Sequence, residues 1–158
     1  MRWRRLSKKA FIDSNIFFYS IIMDREYGEH CAAILRGIHE GRLRAYISPL
    51  ILLEVANALR KFHIEQFHIK IKAIVSLPIS LIEIETEDIL DAIEFADKYD
   101  ISPYDASHVI AMKKAKIDII ISADKDFDKV DIITRIDPKK LRATHHSDPH
   151  GSKLLETY

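Results

Sequence analysis

Four acidic residues, Asp13, Glu54, Asp105 and Asp124, could together hold a hard divalent cation. Asp13 closes the short apolar run 9–13, and Asp124 follows residues 117–122, the most strand-like stretch of the chain. In an open parallel sheet the functional crevice lies outside the carboxyl ends of the strands, so both acids would project to one rim. Acids are also common in loops after strands, so that placement alone assigns nothing. Glu54 is harder to explain. Leu50, Ile51 and Ala58 are its i−4, i−3 and i+4 neighbours on an expected helix. A carboxylate on such a stripe is costly if dry and unpaired, so it needs a partner or a cation. Asp105 has Val109 and Met112 at i+4 and i+7, although the helix dipole also favours an acid in a first turn. A structural salt bridge would satisfy either helical acid.

Nearby polar residues could orient these carboxylates. Ser14 and Asn15 follow Asp13, Asn57 lies one helical turn from Glu54, and Ser122 precedes Asp124 by two. Helix capping is the other reading of Ser14 and Asn15, and the two roles are compatible. Asp126 is a candidate fifth ligand, or a solvated loop acid. Arg60, Lys61 and Lys125 lie close in sequence to the acids and are candidates for gripping phosphates.

The elements that must position these residues alternate along the chain. Residues 9–13 read as a strand, followed by a helix capped by Ser14 or Asn15 and running to about Met23. A helix over 29–40 stops at Gly41, which accepts positive φ. Residues 43–47 read as a strand, and Ser48-Pro49 opens a helix to about Phe62. A helix over 65–76, a strand over 79–84 and a helix capped by Thr86 and running to Tyr99 follow. The last presents Ile89, Ile93 and Ala96 on one face. Ser102-Pro103 opens a helix to about Lys114, and strands are expected at 117–122 and 131–135. This alternation predicts a three-layer α/β/α fold around a central, mostly parallel sheet. A single domain over 1–140 would precede a polar His-, Ser- and Pro-containing tail over 141–158.

Composition narrows the class. With 158 residues, 47% hydrophobic and 30% charged, the chain can bury one sizeable core. No apolar run approaches the length of a membrane span. The basic N-terminus lacks the cleavage site of an exported protein, and Cys31, the sole cysteine, fits a cytoplasmic setting. The 24 basic and 24 acidic side chains balance, so the chain lacks the bulk positive charge of a typical groove-tracking nucleic-acid binder. The signs are unevenly placed: residues 83–100 are strongly acidic and residues 1–9 are basic.

Four segments carry a family resemblance. They are Phe-Ile-Asp-Ser-Asn-Ile around Asp13, Ser-Pro-Leu-Ile-Leu-Leu-Glu-Val-Ala-Asn-Ala-Leu-Arg around Glu54, Ser-Pro-Tyr-Asp-Ala-Ser-His-Val-Ile-Ala around Asp105, and Ile-Ile-Ser-Ala-Asp-Lys-Asp-Phe around Asp124. In order and spacing, over residues 9–137, they resemble the PIN domain and look most similar to its VapC-like prokaryotic branch. Ser122 stands where that pattern most often has Thr, and keeps the hydroxyl. The resemblance implies a helix-covered parallel sheet, Mg²⁺ or Mn²⁺ as cofactor, RNA as substrate, and Asp13, Glu54, Asp105 and Asp124 as the catalytic acids. It further implies a homodimer and an antitoxin protein as partner. Oxygen ligands without histidine or thiolate suit those same ions better than Zn²⁺. Such an ion makes a water acidic enough to attack a phosphodiester in line, and a second one would stabilise the leaving oxygen. Water as nucleophile predicts 5′-phosphate and 3′-hydroxyl ends.

Other motifs fail on their own terms. The run from Asp124 to Asp128 begins like a calcium-binding loop, but Lys129 and Arg135 occupy the positions that require Gly and Glu. His63 and His68 lack zinc-protease spacing, and the four glycines build no phosphate loop. His145, His146 and His150 read as part of a polar tail. Arg2-Trp3-Arg4-Arg5 combines bases with an aromatic that could stack on a nucleobase or pack on the fold. Two competing readings remain. One is a PIN-like scaffold that binds RNA or protein without cutting, which has no reason to keep all four acids. The other is a phosphatase or phosphoacceptor using Asp13 as nucleophile, which Asp13-Ser14-Asn15 fits poorly.

Overall fold

The computed structural model describes residues 9–141. Five short strands, β1 (Lys9–Ile12), β2 (Arg44–Ile47), β3 (Ile79–Leu81), β4 (Ile119–Ile121) and β5 (Thr134–Ile136), form one sheet in the order β3-β2-β1-β4-β5. Every pairing is parallel, so the sheet expected to be mostly parallel is wholly so among the described residues. Six α-helices connect and cover it: α1 (Ser14–Ile21), α2 (Gly28–His39), α3 (Pro49–Lys61), α4 (Phe67–Ser76), α5 (Thr86–Tyr99) and α6 (Pro103–Lys114). Helix α1 packs on α2 and α3, α3 on α4, and α5 on α6.

The apolar runs of β1 and β4 are explained by their central place. Ala10, Phe11, Ile12, Ile120 and Ile121 are fully buried, as strands covered on both faces must be. Helix α6 is buried without interruption from Ala106 to Met112, because it lies under α5 as well as against the core. No helix among the described residues is long and apolar enough to cross a membrane.

Several boundaries differ from the sequence expectation. Asp13 caps α1, its carboxylate accepting from the Ser14 amide, so neither Ser14 nor Asn15 is the cap. Glu85 rather than Thr86 caps α5, in a reciprocal capping box with Asp88. Gln66 takes a left-handed conformation, which delays α4 to Phe67. Strand β3 stops at Leu81, and β5 begins only at Thr134, because Asp131 and Ile132 are exposed before it. The buried stripe of α5 is Ala92 and Ala96, small residues that admit α6, and Ile93 faces solvent. Residues 1–8, with the Arg2-Trp3-Arg4-Arg5 run, and the tail from 142 onward lie outside the described residues.

Gly41 follows α2 with φ +70°, and a Cβ there would meet no atom within 4 Å. A substitution therefore costs only backbone strain. Gly41→Ala is expected to lower unfolding free energy by about 1 kcal/mol, measurable by urea denaturation.

Candidate active site

The parallel order reverses direction at β1: the chain leaves β1 for β2 on one side and returns later to β4 on the other. The crevice between the carboxyl ends of β1 and β4 is therefore the switch point at which open α/β sheets bind ligands. Asp13 sits there, at the tip of β1, its backbone amide donating to the Ile121 carbonyl of β4 (3.1 Å).

Asp13 is buried and held from three directions. Its Oδ1 accepts from the Ser14 amide (2.7 Å), and its Oδ2 accepts from Asn15 Nδ2 (3.0 Å) and Ser122 Oγ (2.5 Å). The Ser122 hydroxyl is fully engaged. It donates to Asp13 and accepts from the Asp124 amide (2.9 Å) and from Asn15 Nδ2 (3.2 Å), which uses one donor and two lone pairs. Asn15 Oδ1 takes the Ala123 amide (3.3 Å), so this side chain ties the loop after β1 to the loop after β4. Burial pushes the Asp13 carboxyl above its ordinary value, opposed by His108 and by the Ser122 hydrogen bond.

Glu54 reaches the same rim from α3. Its Oε2 accepts from Ser14 Oγ (2.8 Å), and its Oε1 lies 2.7 Å from Nε2 of His108. Burial would raise Glu54, but the hydrogen bond and charge of His108 outweigh it and hold the carboxyl below its usual range. Burial likewise opposes charge on His108, yet Glu54, with Asp13 and Asp105, carries it above the ordinary imidazole value. The partner that an acid on an apolar stripe demands is thus a histidine on α6.

Asp105 sits in the first turn of α6, whose start is fixed by Pro103 and by Ser102 Oγ accepting the Asp105 amide (3.1 Å). Burial, then the charges of Asp13 and Asp124, push its carboxyl to about 7. Asp124 begins a 3₁₀ helix (Lys125–Lys129), its Oδ1 accepting the Asp126 amide (2.9 Å). Oxygens of Asp105, Asp124 and Asp126 can all lie within 4.8 Å of one another, as can ligand atoms of Asp13, Glu54 and His108. The acids that repel one another across this crevice are hard oxygen donors, a set that suits Mg²⁺ or Mn²⁺.

Eight of the residues singled out in the sequence come together here: Asp13, Glu54, Asp105, Asp124, Asp126, Ser14, Asn15 and Ser122. Asn57 is exposed on α3, and among the described residues no hydrogen bond draws it to Glu54. Arg60, Lys61 and Lys125 are exposed and lie outside the hydrogen-bonded network. Two residues escaped sequence reasoning. His108 was readable in principle, since it stands at i+3 from Asp105 and shares its helix face. Arg135 was not. Its guanidinium spans both oxygens of Asp128 (2.9 and 3.0 Å) and donates to the Ser122 carbonyl (2.9 Å), bracing the loop that carries Asp124.

A parallel sheet between helices, with carboxylates gathered over the β1–β4 rim, defines a three-layer α/β/α protein with an acidic crevice at its switch point. The PIN domain family model matches residues 10–133, and the chain belongs to the PIN domain family. Among solved structures, the fold matches VapC20 of Mycobacterium tuberculosis, described as a Sarcin-Ricin loop cleaving toxin. Identity is 17% and TM-score 0.67, covering 77% of this chain and 95% of that one. A toxin–antitoxin complex from Klebsiella pneumoniae matches at 18% identity and TM-score 0.58, covering 82% and 97%. VapBC2 from Rickettsia felis, bound to a DNA fragment from its promoter, matches at 14% and 0.61, covering 86% and 98%. Such distant likeness establishes the fold. Among curated proteins, none matches the sequence.

Proposed function

We propose that the chain is a metal-dependent endoribonuclease, the toxin of a toxin–antitoxin pair acting in the cytoplasm. The observation that carries this is the convergence of Asp105, Asp124 and Asp126 beside buried Asp13, with the Asp105 carboxyl pushed to about 7 by burial and then by the charges of Asp13 and Asp124. Those acids, with Glu54, would hold Mg²⁺ or Mn²⁺, and the ion would supply an acidified water and neutralise the phosphodiester. The chain's own work is positioning. Ser122, Ser14 and Asn15 fix Asp13, and Ser122 couples it to the Asp124 backbone. Exposed Arg60, Lys61 and Lys125 are the candidates for gripping RNA phosphates. The toxin–antitoxin complex among the fold neighbours supports an antitoxin partner, whose basic side chain would suit the acidic crevice, and a homodimer is the assembly we expect.

The purified chain is expected to cut RNA with Mg²⁺ or Mn²⁺ and to stop when chelator is added. Its products should carry 5′-phosphate and 3′-hydroxyl ends, read by end-labelling. Cyclic 2′,3′-phosphate ends, or cutting that survives chelation, would overturn the reading.

A further inference from the structure

Among the described residues His108 is the one fully buried imidazole, and its two ring nitrogens are treated very differently. Nε2 meets Glu54 Oε1 at 2.7 Å, whereas Nδ1 is buried with no hydrogen-bond partner among the described residues. The ring packs against Phe11 of β1, centroids 5.5 Å apart and planes inclined at 33°. A side chain needed only to fill this space would be better apolar, because Nδ1 then leaves no unmade hydrogen bond. The single polar contact that offsets this cost is the one to Glu54.

Glu54 is thereby fixed at two points. His108 holds Oε1 from the buried side, and Ser14 Oγ holds Oε2 from the rim, next to Asp13. Each carboxylate oxygen retains a further lone pair, so both stay able to meet a cation. Helix α6 therefore contributes twice: Asp105 in its first turn on the rim, and His108 one turn deeper.

We infer that His108 is a positioning residue, whose Nε2–H sets the orientation of Glu54 and so pre-forms the cation site. The contact needs only a proton on Nε2, which neutral and charged imidazole can both provide. The inference rests on the nuclease reading, because it assigns Glu54 to cation binding.

The test is Mn²⁺ binding by calorimetry in the absence of RNA, with folding checked by circular dichroism. His108→Phe keeps the ring and removes the donor. His108→Gln places an amide nitrogen near the Nε2 position, and His108→Asn is too short to reach Glu54. Loss of an outer hydrogen bond of this kind costs about 10–100-fold in metal affinity, which is the loss expected for His108→Phe and His108→Asn, with His108→Gln within about threefold of wild type. The Gln and Asn variants share the penalty of a buried amide, so their comparison stands even if the Phe variant fails to fold. Equal Mn²⁺ affinity in the Gln and Asn variants, or wild-type affinity in a folded Phe variant, would overturn the inference. So would a nitrogen coupling in the Mn²⁺ electron spin echo spectrum, which would make His108 a ligand. Failure of the wild-type chain to bind Mn²⁺ at all would instead bring down the nuclease reading, and this inference with it.

Discussion

Asp105→Asn and Asp13→Asn are each expected to lower RNA cleavage by about 10³-fold while leaving the protein folded. Direct stabilisation of the transition state by a bound cation is worth several kcal/mol, and each 1.36 kcal/mol is tenfold in rate. The amide keeps the size of the carboxylate and removes its charge, so the loss reports the ligand and not the packing. The two variants differ in what else they disturb. Asp13 organises both loops, with Ser122 and Asn15 donating to its Oδ2, so its replacement forces one donor to turn away. Asp105 has its backbone capped by Ser102, a contact that the substitution leaves intact. Single-turnover cleavage of a labelled RNA at saturating Mn²⁺ checks both. Activity within about tenfold of wild type in either variant would remove that acid from the catalytic set.

The readable part of this site was the part that local chemistry dictates. Buried parallel strands must be apolar, so the sequence marks β1 and β4, and the acids at their ends mark the rim. Glu54 was visible because an acid in mid-helix on an apolar stripe requires a partner. The identity of that partner was not visible, because it lies on α6, 54 residues away, and depends on how two helices pack. Sheet order was hidden for the same reason, since pairing is set by long-range packing. The α5 face was misread because it packs through Ala92 and Ala96, whose burial leaves little hydropathic signal, while Leu90 and Ile93 point outward. Caps were displaced by one residue wherever two oxygen-bearing side chains stood in succession, as at Asp13-Ser14 and Glu85-Thr86.

Burial of Asp105 among other acids is expected to destabilise the metal-free fold, with a definite pH signature. Asp105 has an ordinary value of 3.8 and a folded value of about 7. Between those values the native state keeps a proton that the unfolded chain has lost, so stability falls as pH rises through this window and the penalty is complete above it. At 1.36 kcal/mol per pH unit the interval sets an upper bound of about 4 kcal/mol, and screening of a partly open carboxyl reduces this to about 1–2 kcal/mol. Asp105→Asn removes the penalty. Without metal, its Tm at pH 8 is expected to exceed that of wild type by about 3–6 °C, and the two should coincide near pH 4. Burial of Asp13 works in the same direction as Asp105, and the raised His108 adds a further loss above 6.5, so comparison of the two proteins reads Asp105 together with the support it lends to His108. Mn²⁺ should raise the wild-type Tm at pH 8 and move the variant little, because the cation relieves the repulsion that the substitution has already removed. Melts at the two pH values, with and without chelator, decide the matter. A variant no more stable than wild type at pH 8 would show that Asp105 is ionised there without penalty, and that neither burial nor its acidic neighbours hold its proton.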